Sequence, residues 1–232
     1  MKQTKIDWCD CTINPVVGCS NGCPYCYARK LNDRFHFIEN WNEPQFFAEK
    51  LKQLNSKKPK SIFMDSMSDV GLWQSDWFKE TLSAIKKNMQ HNYIFLSKIP
   101  KGFINQGSKF LNGIIDNTFF GLSVTCANDL NKLKGTEFDF LSIEPLLGEI
   151  THIDLSGKIP LSVKQFIIGA ETGNRKGKVI PQKIWVDKIV QWADEHNVKV
   201  FMKSSLKEIM GDDFRQDKLI WQIDENKQKG EK

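Results

Sequence analysis

Short runs of hydrophobic residues alternate along the chain with longer segments in which hydrophobic residues recur every three or four positions. A short apolar run bounded by polar, Gly or Pro residues is typical of a buried strand, and the three-to-four spacing is typical of an amphipathic helix. The apolar runs predict strands at residues 13–18, 61–64, 93–96, 119–124, 138–143, 164–168 and 198–202.

Helices are predicted in the segments between these strands. The segments concerned are 27–35, 128–133, 184–194 and, more weakly, 110–115. Spacings of four and three residues predict two further helices, one through Phe47, Leu51 and Leu54, the other through Phe78, Leu82, Ile85 and Met89. Residues 36–44 show no period and are expected to form a loop, and the charged tail after Leu219 is expected to be frayed.

Strands that alternate with helices indicate an α/β protein with a parallel sheet, and six or seven strands suit a partial parallel barrel of the (β/α)6 type. Polar residues follow most of the predicted strands, and the carboxyl edge of a parallel barrel is where active sites form. One domain is expected to span residues 1–232, with 1–12 as an N-terminal extension and 206–232 as a C-terminal extension.

Composition narrows the class of protein. The formal net charge of +5 is a mild basic excess, which permits an anionic ligand or nucleic acid without requiring either. No apolar run approaches the roughly 20 residues needed to cross a bilayer, and the first residues lack the apolar core of a secretory signal. Six cysteines without an export signal therefore predict a cytoplasmic location, where thiols serve metals or catalysis.

Three of these cysteines, Cys19, Cys23 and Cys26, form a C-x3-C-x2-C motif. Three thiolates within eight residues suit a soft metal centre. In a [4Fe-4S] cluster, three protein thiolates leave one iron open to chelate the amino and carboxylate groups of a ligand. A structural zinc site is an alternative, with Cys9 or Cys11 as the fourth ligand, although zinc sites usually show two paired spacings.

Other metal arrangements are less well supported. A disulfide framework belongs to small secreted domains, and the four histidines, at positions 36, 91, 152 and 196, show no metal-ligand spacing. The interpretation we favour for Cys9 and Cys11 is two ordinary reduced thiols near the cluster.

The cysteine loop, with Tyr25 just before its last cysteine, resembles the cluster loop of radical S-adenosylmethionine (SAM) enzymes. A longer ordered set of motifs resembles the phage Gp37/Gp68-like (DUF5131) proteins, a radical-SAM-like group. The matching segments are 14–19, 23–28, 65–69, 97–98, 121–124, 144–148, 169–173 and 201–203. Many members of that family have a longer gap between the first two cysteines, and the compact gap here is that of ordinary radical SAM enzymes.

The resemblance implies a [4Fe-4S] cluster and SAM as cofactors, an external electron donor such as flavodoxin or ferredoxin, and a 5'-deoxyadenosyl radical that abstracts hydrogen from a substrate. The best-defined branch that it indicates is queuine lyase, which releases the 7-deazaguanine preQ1. Two alternatives remain: a radical SAM enzyme that repairs or modifies a base in nucleic acid, like spore photoproduct lyase, and a non-enzymatic zinc-bound module that binds nucleic acid or a partner.

Candidate SAM-binding residues follow from the same resemblance. Tyr25 is expected to pack beside the adenine, or else simply within its loop. The amino group of SAM needs an anionic or hydroxyl acceptor, and some of the candidates for it can instead cap helices. The candidates are Asp65, Ser66 and Ser68 for the amino group, Ser123, Thr125 and Glu144 for the ribose hydroxyls, and Lys98 for the carboxylate.

Candidate substrate-binding residues are chosen for a 7-deazaguanine base. A carboxylate accepts both the N1–H and the exocyclic amine, a lysine donates to the O6 carbonyl, and aromatic rings stack on the base. Each of these residues can equally be a structural ion pair or a core aromatic. The candidates are Glu171 and Asp69, with Glu144 as a third carboxylate, Lys203 as the donor, Trp8 or Phe37 for stacking, and Asn14.

Overall fold

The computed structural model describes residues 4–100 and 116–222. Seven of its strands form one entirely parallel sheet, curled into a half-barrel, in which neighbouring strands follow one another in chain order. This confirms the predicted α/β partial barrel. The strands are β1 (Cys11–Thr12), β4 (Ser61–Phe63), β5 (Asn92–Ser97), β6 (Thr118–Val124), β7 (Phe140–Ile143), β8 (Gln165–Ile168) and β9 (Lys199–Met202).

The first predicted strand, 13–18, is wrong as a single element. The sheet begins with Cys11–Thr12, whereas β2 (Val16–Val17) pairs antiparallel with β3 (Gln45–Phe46) in a separate ribbon. Pro15 lies between the two pieces and has no N–H to donate to a ladder, so the chain changes partners there. This ribbon, rather than the main sheet, delivers the cysteine loop.

The α-helices are α1 (Tyr27–Phe35), α2 (Ser75–Lys86), α3 (His152–Leu155), α4 (Lys183–Glu195) and α5 (Lys207–Met210). The predicted helices at 27–35 and 184–194 are confirmed, and 36–44 is a loop. The helices predicted near 47–54 and 128–133 are 3-10 segments, Ala48–Asn55 and Ala127–Leu133. Met89 lies beyond the end of α2 and is half-exposed, and the helix expected at 110–115 lies outside the described residues. Shorter 3-10 turns occupy Val70–Leu72, Ser204–Leu206 and Gly211–Asp213.

Alternation along the strands separates two hydrophobic layers. On the outer face of the sheet, α4 buries Val186, Ile189 and Trp192, and the Trp192 ring stacks 5.7 Å from that of Phe166 in β8. On the inner face, every second strand residue faces the concave side of the half-barrel. This inner cluster consists of Trp8, Phe63, Ile94, Phe140, Ile167, Phe201 and Trp221.

Trp221 corrects the expectation of a frayed tail after Leu219. Its side chain is 1% exposed, and its Nε1 donates to the Trp8 carbonyl at 2.8 Å. Its own carbonyl accepts from Asn92 Nδ2 at 2.7 Å and from Ser61 Oγ at 3.1 Å, at the starts of β5 and β4. Trp221 therefore closes the amino end of the half-barrel. Among the described helices, none has the length and apolar character that a membrane span requires.

Candidate active site at the carboxyl edge of the sheet

A cavity of about 210 Å³ lies at the carboxyl edge of the sheet, between the strand ends and the cysteine loop. It brings together all of the predicted site residues except Asn14, Phe37, Ser123 and Thr125. The predicted residues that line it are Trp8, Cys19, Cys23, Tyr25, Cys26, Asp65, Ser66, Ser68, Asp69, Lys98, Glu144, Glu171 and Lys203.

The cysteine loop is held in place by its first glycine. Gly18 has a φ of +111°, and a Cβ there would lie 2.8 Å from the Ile38 side chain and 2.9 Å from the Pro44 backbone, so only glycine fits. Its N–H donates to the Met67 carbonyl at 2.9 Å, and the Cys19 N–H donates to the Trp41 carbonyl at 2.8 Å. These bonds fix where the first thiol enters the cavity.

The three cysteines of the motif are free, half-buried thiols on one wall of this cavity. Asn21 donates to two of them, from its backbone N–H to Cys19 Sγ at 3.5 Å and from Nδ2 to Cys23 Sγ at 3.3 Å. Cys26 caps α1, because its Sγ accepts the Arg29 N–H at 3.3 Å. N–H donors stabilise a thiolate over a thiol, so the loop is suited to three negatively charged sulfurs.

Three thiols with N–H donors are a donor set of the kind that holds an iron–sulfur cluster. Burial raises the pKa of the Cys19 thiol to about 12, and a coordinated metal would remove that proton. Within residues 4–100 and 116–222, no three His, Cys, Asp or Glu side chains are arranged to hold a single metal ion. A [4Fe-4S] cluster binds its cysteines through different irons and needs no such convergence on one point.

Asp65 and Asp69, after β4, are buried and bind neighbouring backbone. Asp65 accepts the N–H groups of Val70 and Leu96, each at 3.1 Å. Asp69 accepts Ser97 Oγ at 2.6 Å and the Lys98 N–H at 2.9 Å. Burial raises the pKa of both carboxyl groups, and for Asp65 the charge of Asp69 raises it further. The two side chains tie the segment after β4 to the end of β5.

The hydroxyl groups between them are also engaged. Ser66 Oγ donates to Asn14 Oδ1 at 3.0 Å. This Asn14 oxygen also accepts the Met67 N–H at 3.0 Å. Asn14 therefore supports this segment from outside the cavity. Ser68 Oγ accepts Trp73 Nε1 at 2.9 Å. Each hydroxyl therefore keeps hydrogen-bonding capacity within the described residues: Ser66 can still accept from a ligand through its oxygen, and Ser68 can still donate its O–H.

Lys98, after β5, reaches across the cavity wall. Its Nζ donates to Ser123 Oγ at 2.5 Å and lies 5.7 Å from the centre of the Tyr25 ring. Ser123 thus contacts Lys98 without lining the cavity itself. Thr125 lies farther out, where its Oγ1 donates to Asp129 Oδ2 at 2.7 Å. A lysine beside the cysteine loop places a positive charge where a carboxylate can bind.

Glu144 and Lys203 form an ion pair at the ends of β7 and β9, with the Lys203 Nζ donating to Glu144 Oε1. Both side chains are largely buried and line the cavity. Among residues 4–100 and 116–222, no partner takes the second carboxylate oxygen or the other two ammonium protons, so the pair offers an acceptor beside a donor.

Glu171, after β8, has a partner that the sequence did not indicate. Arg175 donates to both of its oxygens, from Nε at 2.5 Å and from the guanidinium NH2 at 2.7 Å, and this pair holds the pKa of Glu171 below its ordinary value. Glu171 and Arg175 are four residues apart, a separation that brings side chains together on a helix. Residues 171–175 form no helix, so this separation did not predict the pair. Arg175 occupies the carboxylate that was expected to accept a base.

The two predicted stacking residues lie in different places. Trp8 is 2% exposed and packs in the inner cluster, with its ring centre 4.7 Å from that of Phe63. Trp8 also lines the cavity. Phe37 is 51% exposed and lies outside the cavity, 5.8 Å from the Phe35 ring.

Solved structures with this fold include several of spore photoproduct lyase. A mutant with its dinucleoside spore photoproduct aligns with a TM-score of 0.53 and 11% sequence identity, over 87% of this chain and 79% of that chain. A double mutant with bound AdoMet and the same photoproduct aligns with a TM-score of 0.50 and 11% identity, over 84% and 78%. At these identities the likeness establishes a shared half-barrel fold.

A family model also matches the sequence. The model described as Protein of unknown function (DUF5131) matches residues 3–219. The chain therefore belongs to this family. A search of curated proteins found no match.

Proposed function

We propose that this protein is a radical SAM lyase that acts on a modified nucleobase. The observation that carries the proposal is the shared cavity: three free cysteines of a C-x3-C-x2-C loop face the polar strand ends of a parallel half-barrel. The fold shared with spore photoproduct lyase, one structure of which contains AdoMet, supports the same reaction class.

In this proposal Cys19, Cys23 and Cys26 hold a [4Fe-4S] cluster. When bound, the cluster and SAM together supply a radical that abstracts hydrogen from the substrate. Lys98 binds the carboxylate of SAM, and Tyr25 packs beside its adenine. The inner aromatic cluster beneath the cavity excludes water from the reaction.

For the substrate we propose queuine, with cleavage of its C–N bond to release preQ1. The Glu144–Lys203 pair presents a carboxylate oxygen beside an ammonium group, which complements the N1–H donor and the O6 acceptor of a 7-deazaguanine. Asp69 and Trp8 remain further candidates for contacts to the base. Because Arg175 binds both oxygens of Glu171, we assign Glu171 to shaping the cavity wall rather than to direct base contact.

A base within nucleic acid is the second candidate substrate. The observation that favours it is the fold shared with spore photoproduct lyase, whose structures contain a dinucleoside photoproduct. Nucleic acid carries phosphate groups, so the binding of a base within nucleic acid would weaken with added salt. The binding of a free base would not.

The test begins with anaerobic reconstitution with iron and sulfide. We expect a brown protein with about four irons per chain. After addition of reductant and SAM, mass spectrometry should detect 5'-deoxyadenosine, and its yield should rise with queuine together with preQ1. Deoxyadenosine without dependence on queuine would reject that substrate and retain the class, and a photoproduct-containing dinucleotide would then be tested. A colourless, zinc-containing protein would overturn the class.

Cysteine variants sharpen this test. Cys19→Ala, Cys23→Ala and Cys26→Ala should each lose the iron and the deoxyadenosine. Cys126→Ala is the matched control, because Cys126 is also half-buried but lies after β6, where its Sγ is 4.0 Å from Asp129 Oδ2. Loss of iron in the control alone would contradict the assigned ligands.

A further inference from the structure

Large hydrophobic side chains of helix α1 face solvent, whereas a simple surface helix turns such side chains toward the protein core. Leu31 and Phe35 are 37% and 54% exposed, whereas the residues that it buries are Ala28 and Asn32. Asn32 is held by Ile38, accepting its N–H and donating to its carbonyl, both at 3.0 Å. An amphipathic helix normally buries its large apolar residues. The apolar side chains of α1 are therefore available to a partner.

Two cations flank these side chains. Lys30 and Arg34 are exposed, four residues apart, and therefore lie on one side of the helix beside Leu31 and Phe35. The Arg34 guanidinium lies 5.0 Å from the centre of the Phe35 ring. Asp33 is the sole carboxylate of α1. We name Lys30, Leu31, Arg34 and Phe35 the α1 face.

The α1 face begins one turn from the cysteine loop. Cys26 is the N-cap of α1, and its Sγ accepts the Arg29 N–H at 3.3 Å. The residues of the loop between the cysteines, Ser20 to Gly22 and Pro24, are exposed. A protein seated on the α1 face would therefore cover the loop that holds the three thiols and would lie close to whatever they bind.

We propose that the α1 face docks an acidic, low-potential electron-transfer protein that carries a flavin or an iron–sulfur centre. This inference rests on the proposed function, because a radical SAM cluster must be reduced by one electron before it can cleave SAM. In that transfer the partner's cofactor loses one electron and the cluster gains it, with no bond or proton exchanged. Complementary charge and an apolar centre are what such a transient interface needs.

The first test measures binding and uses the reconstituted protein with flavodoxin as the probe. In Leu31→Ser/Phe35→Ser, the Kd measured by calorimetry should rise about tenfold or more, because exposed aromatic and aliphatic anchors dominate such contacts. In Lys30→Glu/Arg34→Glu, the Kd should rise and its dependence on salt should diminish. The matched controls are Ile153→Ser/Leu161→Ser, which removes side chains that are 85% and 94% exposed, and Lys199→Glu at the start of β9. Both controls should bind flavodoxin like the wild type.

The second test compares two reductants. With sub-saturating reduced flavodoxin, the variants of the α1 face should form 5'-deoxyadenosine about tenfold more slowly than the wild type. Dithionite needs no docking surface, so with dithionite these variants should react at the wild-type rate. An unchanged flavodoxin Kd in both face variants would overturn the inference. An equal loss of deoxyadenosine formation with both reductants would also overturn the inference. If that loss occurred only with an oligonucleotide substrate, it would assign the α1 face to nucleic acid instead. Failure of the proposed function would be distinguishable, because the wild type would then lack iron or dithionite-driven deoxyadenosine.

Discussion

Lys203 binds Glu144 across the backbone of Gly169, so that the ends of β9, β8 and β7 meet at one ion pair. A Cβ at Gly169 would lie 3.0 Å from Lys203 Cδ and 3.2 Å from Glu144 Cδ. A methyl group there would be in tighter than ordinary contact with both partners, so the two side chains would have to shift by a few tenths of an ångström to admit it.

Gly169→Ala should push this pair apart. We expect product formation to fall about tenfold, since a misplaced pair loses about 1.4 kcal/mol or more of transition-state binding, while the free energy of unfolding falls by about 1–3 kcal/mol from overpacking. Gly148→Ala is the control, because its Cβ would lie an ordinary 3.5 Å from Cys126 Cβ. Equal activity of the two variants would contradict a role for the pair.

Under the proposed function, Lys98→Met should raise the KM for SAM by about 10- to 150-fold, because a charge-assisted hydrogen bond contributes about 1.5–3 kcal/mol. The cluster absorbance should not change, since Lys98 contacts Ser123 and the Tyr25 ring rather than a thiol. Ser123→Ala removes a neutral partner of the lysine and should have a smaller effect. An unchanged KM in Lys98→Met would remove Lys98 from the SAM site.

The Glu171–Arg175 pair should make stability depend on pH. The arginine lowers the pKa of Glu171 in the folded state, so the stabilisation is fully present above the ordinary glutamate value of about 4.3 and is lost as the pH falls through the lower folded-state value. Glu171→Gln should therefore be less stable than the wild type at neutral pH, and urea unfolding should show the difference shrinking in acid. Arg175→Gln should show the same convergence, and a pH-independent difference would argue against the pair.

Trp221→Ala should lower the free energy of unfolding by about 3–5 kcal/mol, as expected when a buried aromatic is removed. Trp221→Phe keeps much of the ring contact with Phe140, at 4.7 Å between ring centres, but leaves the Trp8 carbonyl without its donor, so it should cost about 1–3 kcal/mol. Leu161→Ala, at a fully solvated position, should change stability by less than about 0.5 kcal/mol. Chemical denaturation measures all three, and a neutral Trp221→Ala would show that this residue does not close the half-barrel.

Local patterns in the sequence were sufficient for most of the framework. Apolar runs indicated the strands, because a buried parallel strand is hydrophobic on both faces, and helical spacing gave α4 nearly to the residue. Strand direction then placed most of the candidate polar residues at one edge of the sheet. The C-x3-C-x2-C motif carried the metal hypothesis by itself, because its three thiols are close in the chain.

Only the tertiary structure decided which polar groups meet. Glu144 and Lys203 are 59 residues apart, and no periodicity connects them. Glu171 is occupied by Arg175, Phe37 lies outside the cavity, and Trp221 is a buried plug rather than part of a frayed tail. Periodicity reports which face of an element is buried, and motif spacing reports what is near in the chain. The pairing of side chains on different strands depends on the order of the strands in the sheet and on the space between them, as at Gly169. Both are properties of the folded chain alone.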